Sequence, residues 1–114
     1  MLKEPNLNYS VVIPTHDRLD FLKNALQSIF VQSIEPYEIF IVDDLNQIKV
    51  KELIQNLSKK YSFNIKYIIS KSKNGVSHSY NLGAKHAKSE YLAFLDDDDF
   101  WGKDYIHSIS KIIK

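Results

Sequence analysis

Five apolar residues, Tyr91-Leu92-Ala93-Phe94-Leu95, pass straight into four carboxylates, Asp96-Asp97-Asp98-Asp99. A run this short leaves no room for a helical period, so it reads as a buried strand that delivers its acids to one edge of a sheet. At neutral pH four neighbouring carboxylates repel one another. A protein that holds them together must raise their pKa values or supply a cation. A hard divalent cation such as Mn2+ or Mg2+, which prefers oxygen ligands, is the simplest partner. The alternative is a solvated acidic loop that contains a helix N-cap. What precedes the acids weighs against that alternative.

Tyr9 to Ile13 is a β-branched run closed by Pro14, which cannot donate to a ladder and is therefore expected to end strand one. After the polar loop Thr15-His16-Asp17-Arg18, apolar residues from Phe21 to Phe30 recur at helical spacing. They predict a helix from about Leu19 to Gln32, with Asp17 or Asp20 as its cap. Pro36 breaks that pattern, and Tyr37 to Val42 predicts strand two, which empties into Asp43-Asp44. Ile48 to Tyr61 is amphipathic, Ile65 to Ile69 is strand three, and a third helix is expected from about Val76 to Lys88. Tyr91 to Leu95 is strand four, and Tyr105 to Ile113 gives the last helix.

The order β-α-β-α-β-α-β-α predicts an α/β fold: a mostly parallel sheet with helices on both faces and right-handed crossovers. Ligands of such sheets sit outside the carboxyl ends of the strands. Three polar loops, 15–18, 43–46 and 96–99, should converge there. The first loop has no glycine, which argues against a standard dinucleotide binder and a nucleotidyltransferase, and there is no phosphate-cradling lysine loop. With 114 residues and 44% hydrophobic content, one domain without a linker is expected. A net charge of +1 gives no field that argues for nucleic acid. The absence of cysteine removes disulfides, thiol nucleophiles and thiolate metal sites. Met1 to Asn8 lacks the apolar core of a signal peptide, and no run approaches a membrane span. A cytoplasmic chain, with the full protein at the cytoplasmic face of the membrane, is the expectation.

The segments Ser10 to Arg18, Ile41 to Asp44, Gly75 to Gly83 and Glu90 to Asp99, taken in that order, resemble the successive motifs of family 2 glycosyltransferases across nearly the whole chain. The resemblance implies a GT-A, Rossmann-like fold and an inverting transfer of a sugar from a nucleotide diphosphate sugar to a glycan or lipid-linked acceptor, assisted by Mn2+ or Mg2+. By the same resemblance, Pro14, Thr15 and His16 line the nucleotide, with His16 where tyrosine is common. Asp44 reads the base, and an acid accepting from a ring N–H would favour a UDP-sugar. Asp43 or Asp44 as a cap of the second helix is the structural alternative. Asp96 and Asp97 address the ribose or the metal's waters, Asp98 is the metal ligand, and Asp99 supports them or caps the last helix.

Two departures from the family pattern stand out. Tyr80 occupies a position where the family often has arginine, so the diphosphate must lean on the metal, on Arg18 or on Lys85. Arg18 is the one arginine beside fourteen lysines, and its planar fork is not interchangeable with an ammonium. A solvated Arg18 is the alternative. The family also carries an acceptor half with the general base, which is expected beyond Lys114, so residues 1–114 are expected to be a donor-binding half with little transfer activity of its own. Self-association through the apolar surface that the acceptor half would cover is a further expectation. His78, His86 and His107 are expected at surface or boundary positions, Trp101 and Phe100 in the core, and Lys59, Lys60, Lys66, Lys71 and Lys73 on a solvated face. The rival readings are a non-catalytic nucleotide-binding module and a phosphatase with a nucleophilic aspartate.

Overall fold

Strand and helix alternate along the whole chain in a computed structural model that describes residues 6–71 and 75–113. The elements are β1 (Tyr9–Thr15), α1 (Leu19–Phe30), β2 (Glu38–Asp43), α2 (Ile48–Tyr61), β3 (Ile65–Ile69), α3 (Val76–His86), β4 (Tyr91–Phe94) and α4 (Tyr105–Ile112). The four strands form one parallel sheet in the order β3-β2-β1-β4. β1 is therefore interior and buried along its full length. Alternation of side chains along a strand sends its residues to two different cores. Tyr9, Val11 and Ile13 join Leu22, Leu26 and Ile29 of α1, Leu53 of α2 and Ile106 of α4 in the larger one. Val12 turns the other way, to Phe40, Val42 and the Tyr80 and Leu82 side chains of α3. That second face is thin, and α3 approaches it closely. A Cβ built on Gly83 would collide with Val12.

The strand ends differ from expectation for identifiable reasons. Pro14 does not end β1, which pairs with β2 through Pro14 and Thr15. Thr15 O accepts from Asp44 N on the β2 side, whereas Val12 O accepts from Leu95 N on the β4 side. By alternation Pro14 also faces β4, so its missing N–H ends only that ladder, whose last pair is Val12 with Phe94. β4 is not the doubly buried strand its composition suggests. It is a sheet edge, and Leu92 and Phe94 remain 44% and 49% exposed. β2 starts at Glu38 and runs one residue further than expected, through Asp43.

The helix ends show similar corrections. Among the described residues no side chain caps α1: Arg18 is its N-cap residue, Asp17 sits one position early in a left-handed conformation, and Asp20 lies inside the first turn. There Asp20 meets the positive end of the helix dipole instead. α1 stops at Phe30, because Gln32 closes a tighter turn onto Ile29 O. α3 stops at His86, since Ala87 is already extended and Lys88 N donates to Glu38 Oε2 at 2.7 Å. Lys73 and Lys114 lie outside the described residues. Among the described residues, no helix is long and apolar enough to cross a membrane.

The acidic segment after β4 is fastened to α1. Trp101 N donates to Ser28 Oγ at 3.1 Å, and Gln32 Nε2 donates to Gly102 O at 2.7 Å. Gln32 Oε1 then accepts from Ile106 N, so one buried amide ties α1 to the start of α4. Trp101 is in the core as expected, but Phe100 is not: it is 70% exposed, because the chain must turn outward to leave the sheet edge.

Candidate functional site

The carboxyl ends of β1, β2 and β4 open on one cleft of about 350 Å3. Pro14 and Thr15 line it from the end of β1, His16 and Arg18 from the loop that follows, Asp44 from the loop after β2, and Asp96, Asp97 and Asp98 from the segment after β4. The parallel register is what brings them together, because Thr15 pairs with Asp43 while β4 stops level with Val12, leaving its acids to climb past Pro14. Sequence reasoning nominated none of the remaining lining residues, Gly75, Val76 and Ser79. The left-handed backbone of Gly75, at φ 86, starts α3 against the cleft wall, and a glycine before a helical pattern is the signal that points to it.

The acids are sorted by depth. Asp97 is buried; its Oδ2 accepts from Thr15 Oγ1 at 3.0 Å and from His16 N at 3.3 Å. Burial pushes its carboxyl above the ordinary aspartate value, against the bonds from His16 and Thr15 and the Arg18 charge, while the Asp98 charge adds to the rise. Asp96 takes the Tyr80 hydroxyl. Burial first, and then the bond and charge of Asp96, hold that phenol well above its usual range. Asp98 is half exposed, and its Oδ2 meets Arg18 Nη1 at 2.9 Å; the same nitrogen is 3.5 Å from Asp97 Oδ1. Asp99 accepts from Phe100 N and lies five residues before Asp104, the N-cap residue of α4, so it caps no helix.

Asp43 and Asp44, adjacent in sequence, do different work. Asp43 is fully buried and accepts from Leu45 N, Gln47 N and the Tyr67 hydroxyl at 3.0, 2.7 and 2.6 Å. It shapes the turn into α2, whose N-cap residue is Gln47. Asp44 points into the cleft, where its Oδ1 meets His16 Nδ1 at 2.7 Å.

Lys85 does not reach this region. It lies in the last turn of α3, about 13 Å along the axis from the end that meets the cleft. His86 is exposed on α3 with its ring on Leu82 O, and His78 and His107 are half-buried; none of the three lines the cleft. Among the described residues, no three His, Asp or Glu side chains are arranged to cage a metal ion. The donor set is instead three carboxylates that each hold a protein donor, of which Asp98 is half exposed and holds only the equally exposed Arg18 guanidinium. One or two carboxylates, completed by water and substrate phosphates, are what Mg2+ or Mn2+ commonly takes. The residues therefore fit a cation completed by a phosphorylated ligand.

The family model "Glycosyl transferase family 2" matches residues 10–114. An uncharacterised glycosyltransferase of Rickettsia conorii is 37% identical over 97 residues, covering 85% of this chain and 16% of the relative. The Campylobacter jejuni GalNAc(5)-diNAcBac-PP-undecaprenol beta-1,3-glucosyltransferase is 37% identical over 91 residues, covering 79% and 29%. The chain thus spans less than a third of either relative's length. Among solved structures, the mannosyltransferase PcManGT of Pyrobaculum calidifontis, in complex with GDP-Man and Mn2+, superposes with a TM-score of 0.81 at 17% identity, covering 96% of this chain and 33% of that one. TarS of S. aureus in complex with UDP gives 0.79 at 23% identity, covering 94% and 32%. Motif order, strand order and the family match agree, and the chain belongs to glycosyltransferase family 2 and carries its GT-A, Rossmann-like fold.

Proposed function

We propose that residues 1–114 are the donor-binding half of an inverting glycosyltransferase that takes a nucleotide diphosphate sugar, with UDP as the nucleotide. One observation supports this most: three loops, separated by up to 82 residues, place every acid nominated as a ligand on the wall of one cleft. Asp44 supports base recognition, because its carboxylate is presented to the cleft while neighbouring Asp43 is consumed by the turn. An acceptor-only carboxylate suits the ring N–H of uracil. Asp96, steadied by Tyr80, is proposed to accept from ribose hydroxyls. Asp97, which accepts from Thr15 and His16, ties the end of β1, beside Pro14, to the segment after β4.

Asp98 is proposed to hold Mn2+ or Mg2+ together with the donor's phosphates. Bound there, the cation supplies neutralisation of the charge that develops on the departing diphosphate. The acceptor, glycan or lipid-linked as in the relative named for a PP-undecaprenol substrate, and the base that deprotonates it are proposed to belong to the rest of the longer protein. The same reading places that protein at the cytoplasmic face of the membrane.

Titration calorimetry with UDP and GDP, with Mn2+ and after chelation, tests the reading. UDP should bind with Mn2+ and lose most affinity on chelation, since the acids repel a bare diphosphate. Asp98→Asn should remove the metal dependence. Preference for GDP would overturn the uridine assignment, and equal UDP affinity after chelation would remove the metal. A chain that binds UDP and metal, but whose full-length protein moves no sugar, would be the non-catalytic module.

A further inference from the structure

Resting on the donor-site reading, we propose that Arg18 is an exchangeable counterion. It neutralises Asp97 and Asp98 before donor and cation bind, competes there with the divalent cation, and passes to the donor's diphosphate when the cation arrives with it. Its guanidinium holds both carboxylates through one nitrogen, at 2.9 Å from Asp98 and 3.5 Å from Asp97. The carboxylate proposed for the metal is therefore already engaged by a positive charge. A guanidinium and a divalent ion on one carboxylate repel, so binding of either opposes the other.

The geometry makes the exchange easy. Arg18 and Asp98 are 48% and 50% exposed, and an ion pair in that much water contributes little. Asp97 keeps Thr15 Oγ1 and His16 N after Arg18 leaves, so no buried carboxylate is stranded. The Arg18 backbone is fixed, its carbonyl accepting from Leu22 N at 2.9 Å as α1 begins, and only the side chain must swing. Tyr80, whose hydroxyl donates to the neighbouring Asp96, is neutral, and Lys85 is at the far end of α3. The released fork can meet phosphate oxygens with two parallel bonds, which an ammonium cannot do.

Two measurements on wild type, Arg18→Gln and Arg18→Lys test this without any turnover. The first is Mn2+ affinity in the absence of nucleotide, read from the electron paramagnetic resonance of free Mn2+. Arg18→Gln should bind Mn2+ about 5- to 10-fold more tightly, the size set by removing a unit charge a few ångströms from a divalent ion in an exposed cleft. Arg18→Lys should stay near wild type. The second is UDP affinity at saturating Mn2+, which Arg18→Gln should weaken about tenfold or more, with Arg18→Lys between. Unchanged or weaker Mn2+ binding by Arg18→Gln, in a protein whose UDP binding still needs Mn2+, overturns the exchange and leaves the donor-site reading intact. Tighter Mn2+ binding with unchanged UDP affinity overturns the hand-over to diphosphate. No Mn2+ binding by any variant, with or without UDP, overturns both.

Discussion

Replacing the paired aspartates one at a time should separate architecture from recognition. Asp43→Ala removes an acceptor that is fully buried and serves Leu45 N, Gln47 N and the Tyr67 hydroxyl. A bond to a charged acceptor is worth about 1.5–3 kcal/mol net. Leu45 is exposed, and Gln47 and Tyr67 are half-buried, so water can replace part of what is lost. The expected cost is therefore about 3 kcal/mol rather than the full sum, which lowers the melting temperature of a domain this size by roughly 10–20 °C. Asp44→Ala loses one bond, to a histidine ring that is 63% exposed, and should change stability by less than about 0.5 kcal/mol. Under the proposed role it should weaken UDP by tenfold or more. Urea unfolding followed by circular dichroism, together with calorimetric UDP titration, reads both quantities. The assignment fails if Asp44→Ala is the variant that unfolds early, or if it binds UDP as well as wild type.

Gly83→Ala gains about 1 kcal/mol of helix propensity. It places a methyl on the β-branched Val12 side chain, which is buried in the interior strand, so the net effect should be a loss of about 1–2 kcal/mol. Gly102→Ala, with open space around its Cβ position, is the control, and equal denaturation midpoints for the two would refute the packing argument. Glu38 is fully buried; burial raises its pKa, but bonds from Lys88 N, Ser10 and Lys66 and the Lys66 charge outweigh that and leave it below the ordinary value. The folded state thus binds this proton less readily than the unfolded chain. The stabilisation is present above the unfolded glutamate value, about 4.3, and is lost as pH falls through the lower folded value. Glu38→Gln should cost about 1.5–3 kcal/mol at pH 7 and flatten the acid limb of stability against pH. An acid limb identical to wild type would reassign that loss to other carboxylates.

Much of the fold was legible because the two periods that specify it are clean. The bounds of α2 and β3 match expectation to the residue, since Ile48 to Tyr61 keeps one apolar stripe and Ile65 to Ile69 is a short β-branched run. Misreadings fell where a residue's meaning depends on a neighbour across the sheet. Pro14 reads as a stop in any single-strand view, yet its missing donor faces the strand that has already ended. Tyr91 to Leu95 reads as a buried strand because hydrophobicity cannot distinguish a covered edge from one awaiting cover. Leu92 and Phe94 are the cost of that ambiguity.

The candidate site divides along the same line. That acids gather at the carboxyl ends of β2 and β4 follows from strand polarity alone, so Asp43, Asp44 and Asp96 to Asp99 were readable as a group, and it was the family resemblance that singled out Asp44 and Asp96 to Asp98. Which acid meets which donor was not readable, because those pairings join residues up to 82 positions apart and are decided by depth. One position separates buried Asp43 from Asp44 at the cleft, and one separates buried Asp97 from half-exposed Asp98. Composition cannot resolve such steps, since the same side chain occurs on both sides of each. Burial does, by a physical rule: an acid enclosed by protein must be met by protein donors, as Asp43 and Asp97 are, and can turn a loop or lock a strand end. An acid left at the surface keeps lone pairs for a ligand. Arg18 and Tyr80 follow from that rule too, for each is the donor that the fold brings within reach of an acid otherwise open to the cleft.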